Sequence, residues 1–374
     1  MFDRWLAHRT AALGSSVIEH IFELAAQLED RVDLSIGQPH FEVPAPIQEA
    51  AVRAIRSGRN RYSPSQGIEP LREWLREKIR STYLGDDRDV MITCGTSGAL
   101  VLAVLALVNP GDQVILFDPW FVVYEALVKL VGAEPVYVDT YPNFRIDPEK
   151  VERAITARTK LIIVNTPNNP TGVAATHDEL KALALLALDR GIALLSDEIY
   201  RAYCYDAPFV SPGHFNPFTI VADGFSKTYA APGWRLGFIH GPKPIIDQMV
   251  KIQQYTFVCP PHPLQWAMLQ AQDADVTPHI ADYRRKRDVL VEGLADYYRL
   301  VRPTGAFYAF PEVPWADGKT FTEFALRQFR LLLVPGGVFS RRDTHFRIAY
   351  AVDDNTLVRG IEILRQLAKN PPSL

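Results

Sequence analysis

Residues 191–200 read Gly-Ile-Ala-Leu-Leu-Ser-Asp-Glu-Ile-Tyr, a short apolar run that opens on a glycine and closes on two acids. A run of that length between such punctuation is the pattern of a strand buried on both faces, as in a parallel sheet. Thr176–Arg190 before it has helical periodicity, and Gly191 stands where that helix should stop. The same pairing recurs in both directions along the chain. Strand candidates fall at Asp89–Thr93, Gln113–Phe117, Pro135–Asp139, Lys160–Asn165, Ile192–Ser196, Thr219–Ala222 and Leu236–His240. Helical stretches such as Ser97–Val108 and Trp120–Val131 lie between them, with Gly111 and Gly132 at their ends. Strand–helix–strand alternation implies parallel pairing through right-handed crossovers, hence an α/β fold with a large, mostly parallel sheet and helices on both faces.

After Pro260 the rhythm changes. A charged helix is expected over Ala281–Tyr297, strands at Ala306–Phe310, Leu331–Val334 and Phe346–Ala349, and a closing helix over Asp353–Lys369. These predict a smaller α+β domain over 276–374 beside a large domain over 46–275. Residues 1–45 form an N-terminal arm with a helix at about Ser16–Leu28, assigned to the small domain. The length, 374 residues, fits such a two-domain chain. At 48% hydrophobic and 22% charged the composition is globular, and a net charge of -3 gives no support to binding nucleic acid or a membrane surface. The longest apolar run, Gly98–Val108, is too short to cross a bilayer, and no signal peptide is visible, so a cytoplasmic protein is expected. Three cysteines, Cys94, Cys204 and Cys259, suggest neither a disulfide framework nor a metal site; free buried thiols are expected.

Ligands of open parallel sheets bind beyond the carboxyl ends of the strands. Those ends are rich in chemistry here: Asp197-Glu198-Ile199-Tyr200, Asn165-Thr166-Pro167-Asn168-Asn169, Gly224-Phe225-Ser226-Lys227, and Cys94-Gly95-Thr96-Ser97-Gly98 leading into a helix. The last would make a cup of backbone N–H groups suited to one phosphate, though a glycine pair alone is weak evidence. Seven motifs then follow one another in order: residues 35–41 (Ser-Ile-Gly-Gln-Pro-His-Phe), 60–67 (Asn-Arg-Tyr-Ser-Pro-Ser-Gln-Gly), 167–172 (Pro-Asn-Asn-Pro-Thr-Gly), 196–200, 226–229 (Ser-Lys-Thr-Tyr), 233–237 (Gly-Trp-Arg-Leu-Gly) and 346–350 (Phe-Arg-Ile-Ala-Tyr). In this the chain resembles the class I/II aminotransferases, pyridoxal-phosphate (PLP) enzymes of fold type I.

The resemblance implies a role for each matched residue. Lys227 would hold PLP through its aldehyde and, once substrate displaces it, carry a proton. Asp197 would pair with the pyridine nitrogen, a cation that makes a buried carboxylate tolerable; a capping aspartate at a strand-to-helix junction is the alternative. Tyr200 and Asn169 would donate to the ring oxygen, and Phe121 would stack on the ring unless it is simply a core aromatic. Arg235, with the cup at Gly95, Thr96 and Ser97, would grip the phosphate. Many relatives place a phosphate-binding serine three residues before the lysine; here that position is Gly224, and Ser226 is the nearest hydroxyl. Arg347 would take the substrate α-carboxylate, with Gly37 close by. Tyr62 would reach the phosphate of a neighbouring subunit, implying a homodimer with shared active sites.

The function so implied is transfer of an amino group from an L-amino acid of aspartate, alanine or aromatic type to a 2-oxo acid such as 2-oxoglutarate, by a ping-pong route. A C–S β-lyase of the same fold is the alternative chemistry. A PLP-binding regulator is disfavoured, since 34 residues before Ser35 are too few for a winged helix. For a distal carboxylate no second arginine matches a motif; Arg59, Arg61, Arg341 and Arg342 are the nearest in sequence, while Ile18, Ile36, Phe121 and Tyr124 are candidates for an apolar pocket wall.

Overall fold

A computed structural model describes residues 2–11, 13 and 30–371. The helix expected at Ser16–Leu28, and Ile18 with it, lies outside the described residues. Strands are β1 (Val32–Asp33), β2 (Arg88–Thr93), β3 (Gln113–Asp118), β4 (Glu134–Asp139), β5 (Thr159–Asn165), β6 (Ala193–Asp197), β7 (Ile220–Gly224), β8 (Gly237–Pro242), β9 (Tyr308–Ala309), β10 (Leu331–Leu332), β11 (Val334–Pro335) and β12 (Phe346–Ala349). All seven strands expected before Pro260 enter one sheet, in the order β2-β8-β7-β6-β5-β3-β4. Helices Gly95–Leu107, Val122–Leu130 and His177–Asp189 match the expected ones to within a few residues, and Gly111, Gly132 and Gly191 all have positive φ. A β-carbon would strain the backbone at those three helix ends.

One strand departs from the parallel pattern. β8 is antiparallel to both of its neighbours, β2 and β7. A parallel link needs a crossover helix, whereas residues 225–236 hold only a short 3-10 turn at Pro232–Trp234. Arg235, left-handed at φ 52°, then reverses the chain. The amino end of β8 is thereby set against the carboxyl ends of β7 and β2, with Gly237 opposite both Gly224 and Thr93. Helix Gly95–Leu107 buries Ala99, Leu100, Leu102, Ala103 and Val104 against the middle of the sheet; its alanines and leucines have good helix propensity.

The rest of the chain packs around a second core that includes Tyr283, Phe307, Phe321, Phe346 and Tyr350. β9, β12 and β11 form an antiparallel sheet, and β1 pairs in parallel with β10. The segment read as one strand over Leu331–Val334 is therefore two strands, paired with different partners on either side of Leu333. Helices Thr277–Leu294 and Asp354–Lys369 cover this core, the latter capped by the Asp353 carboxylate at the Thr356 N–H. No described helix is long and apolar enough to cross a membrane. The cysteines are free and half-buried rather than fully buried.

Candidate active site

A cavity of about 220 Å³ opens at the carboxyl ends of β5, β6 and β7, where Arg347 of β12 and the loop after β1 close over it. β6 delivers Asp197 as its last residue, 3% exposed. Its Oδ1 accepts the Ile199 N–H at 3.2 Å, as a turn-capping aspartate would. Its Oδ2 accepts the Tyr124 hydroxyl at 2.7 Å. Tyr124, expected as part of an apolar wall, is thus a polar anchor, its phenol spent on Asp197. Burial pushes the Asp197 carboxyl up to about 6, against the pull of Tyr124, the Ile199 amide and Lys227.

Lys227 follows β7 by three residues and donates from Nζ to the Gly37 carbonyl at 2.6 Å. Burial, reinforced by the Arg347 and Arg235 guanidinium groups, lowers its ammonium to about 8, while Asp197 opposes the fall. Asn165 at the end of β5 accepts the Asn169 N–H at 2.8 Å and so places Asn169, whose Oδ1 receives Arg347 Nη1 at 3.0 Å. The second Arg347 nitrogen, Nη2, donates to Ser35 O at 2.7 Å, and the guanidinium lies 4.8 and 4.7 Å from the Tyr308 and Phe339 ring centres. Its Nε is buried with no hydrogen-bond partner among the described residues. A guanidinium buried among neutral acceptors with a donor to spare is a site for an anion.

A second candidate anion site lies at the start of helix Gly95–Leu107. Gly95 has φ +73°, and a β-carbon there would stand 2.6 Å from Arg235 Nη2, so the guanidinium lies directly over the helix N-terminus. Arg235 Nη1 donates to Pro232 O at 2.9 Å, which leaves further donors free for an oxyanion. At Gly224 a β-carbon would come within 2.6 Å of Thr96 Oγ1, which itself donates to Asp223 O at 3.1 Å. The Thr96 hydroxyl fills the space that a side chain at 224 would need.

Of the residues singled out from the sequence, Gly37, Thr96, Ser97, Phe121, Tyr124, Asn169, Asp197, Tyr200, Ser226, Lys227, Arg235 and Arg347 all line this one cavity. Gly95 supports it from beneath Arg235. Tyr62 lies outside it, 83% exposed. The sequence reading missed Leu100, Ile199 and above all Tyr308, whose hydroxyl meets that of Tyr200 at 2.8 Å. Ile36 does not line the cavity, and neither do the candidate second cations. Arg342 is paired with Asp139, Arg341 lies over the Tyr137 ring, Arg59 lies over Trp266, and Arg61 is exposed.

The sequence model of the family described as "Aminotransferase class I and II" matches residues 29–364. The chain is 36% identical to a probable aspartate aminotransferase of Methanocaldococcus jannaschii, over 97% of this chain and 99% of that one. It is 37% identical to an aspartate/prephenate aminotransferase of Thermus thermophilus, over 96% and 97% of the two. The solved aspartate aminotransferase of Thermotoga maritima superposes with a TM-score of 0.93 at 31% identity, covering 98% of this chain and 100% of that one. On the family match over residues 29–364 and these relatives, the chain belongs to the class I and II aminotransferases, enzymes that transfer amino groups.

Proposed function

We propose that the chain is a PLP-dependent aminotransferase that moves the amino group of an L-amino acid to 2-oxoglutarate by a ping-pong route. The observation that carries this reading is Lys227, with its lowered pKa, sharing one cavity with the buried carboxylate of Asp197. The residues fit the cofactor: Asp197 offers an anion for a cationic ring nitrogen, Phe121 a stacking face, and Tyr200 and Asn169 donors for the ring oxygen. The cup at Gly95, Thr96 and Ser97, with Arg235 and Ser226, suits a phosphate dianion. PLP would supply an electron sink for the bond at the substrate Cα. Arg347 would hold the α-carboxylate beside Gly37 through a planar, two-pronged contact, supported by its unpaired Nε. The Lys227 amine, neutral in part at physiological pH, would hold and move the proton at the substrate Cα.

The same reading makes the enzyme a cytoplasmic homodimer in which Tyr62 completes the phosphate site of the neighbouring subunit. The exposure of Tyr62, at 83%, and of Tyr255, at 90%, supports such a contact face. It also divides the chain into an arm and large and small domains at 45/46 and 275/276. The test uses purified protein loaded with PLP. An L-amino acid alone should bleach the absorbance of the lysine-bound cofactor, and 2-oxoglutarate alone should restore it. Release of pyruvate and ammonia from cystathionine or cysteine, without that cycle, would instead assign an eliminating enzyme.

A further inference from the structure

Tyr308 joins three parts of the cavity. Its ring is buried beneath the Arg347 guanidinium, and its hydroxyl lies 2.8 Å from that of Tyr200. The same hydroxyl is 3.5 Å from the Gly37 carbonyl oxygen, which also receives Lys227 Nζ at 2.6 Å. No side chain fits at 37, because a β-carbon would collide with the Tyr308 hydroxyl. Burial keeps both phenols protonated at neutral pH. Each phenol has one proton, and the pair can share only one between them. If Tyr200 donates to Tyr308, the spare proton points at Gly37 and Tyr200 can only accept from the cavity. If Tyr308 donates to Tyr200, the spare proton belongs to Tyr200 and points into the cavity. The distances favour the second arrangement: 2.8 Å is ideal for O–H···O, whereas the 3.5 Å to Gly37 O is at its outer limit.

We propose that Tyr308 is a positioning residue that turns the Tyr200 hydroxyl into a donor facing the cavity. The inference rests on the proposed function, in which Tyr200 donates to the ring oxygen of PLP. The Tyr308 proton goes to Tyr200, and a phenol that accepts a hydrogen bond donates more strongly.

Tyr308→Phe keeps the ring under Arg347 and removes only the O–H. In PLP-loaded protein, the readout is the pH midpoint of the change in bound-cofactor absorbance. A donor to the ring oxygen stabilises its negative charge and lowers the proton affinity of the chromophore. The midpoint in Tyr308→Phe should therefore rise by about 0.5 pH unit, a roughly threefold change in proton affinity. Tyr200→Phe should raise it further, and the double variant no further than Tyr200→Phe alone, because Tyr308 acts through Tyr200. KM for an amino donor should stay within about threefold while kcat falls, since the ring still packs on Arg347. An unchanged midpoint in Tyr308→Phe, or shifts that add in the double variant, would overturn the role of Tyr308 and leave the PLP reading intact. A wild-type protein with no absorbance band after PLP loading would overturn both.

Discussion

An ammonium lowered to about 8 makes Lys227 a reagent whose readiness can be titrated. Its neutral fraction should grow about tenfold from pH 7 to pH 9 and then level off. The rate at which cofactor-free protein captures PLP should follow that curve; a rate still climbing steeply above pH 9.5 would show an ordinary lysine. Lys227→Ala should stay folded yet lose transamination altogether, and more than a trace of turnover would remove the lysine from its role. Asp197 presents the opposite case. A carboxyl raised from an ordinary 3.8 to about 6 in the folded state binds more protons folded than unfolded between those values. Stability is thus favoured below pH 4 and declines as pH rises to 6, by about 3 kcal/mol in all for the cofactor-free protein. Asp197→Asn should therefore raise the melting temperature of the cofactor-free protein at pH 7 but not at pH 4, and weaken PLP binding at least about tenfold. Equal melting at both pH values would show that the carboxylate is not strained. Tyr308 and the polar role of Tyr124 escaped the sequence reading because an aromatic in an apolar helix or strand looks like core or an apolar wall. Only the fold shows that each hydroxyl points at a charged or polar partner.

At the scale of elements, the strands and their punctuation were legible because a strand buried on both faces leaves a continuous apolar run. Direction was not: nothing in Leu236–His240 marks it as antiparallel, and the split of Leu331–Val334 depends on partners far away in sequence. The motif residues at the strand ends were legible individually, but their convergence follows from the sheet. The junction of β2 with helix Gly95–Leu107 depends most on one position. Gly95→Ala adds a β-carbon in a left-handed conformation and 2.6 Å from Arg235 Nη2. The variant should lose about 1 to 2 kcal/mol of stability, and displacement of Arg235 should reduce PLP affinity by a larger factor than it affects pyridoxal, which lacks the phosphate. Equal losses for the two compounds would place Arg235 away from the phosphate.

At the scale of the molecule, the charges on the cavity set the substrate range. Among the described residues, Arg347 and Arg235 are its arginines and Lys227 its lysine, each with a role already assigned. A desolvated distal carboxylate without its own cation costs several kcal/mol. The donor range should thus be moderately broad, with alanine, leucine or aromatic donors within about a hundredfold of aspartate in kcat/KM, roughly 2.7 kcal/mol. A larger preference for aspartate would reveal a dedicated cation. The place of β8 between β2 and β7 has a further consequence, for the growing chain. The edge strand β2 has no sheet to join until β8 has been made, roughly 150 residues later, which is about 10 to 30 s of synthesis. The helix start that follows β2, the phosphate cup of the proposed function, is therefore among the first parts of the cavity to be translated and among the last to take shape, and on that reading a nascent chain should not take up PLP before residue 242 has emerged.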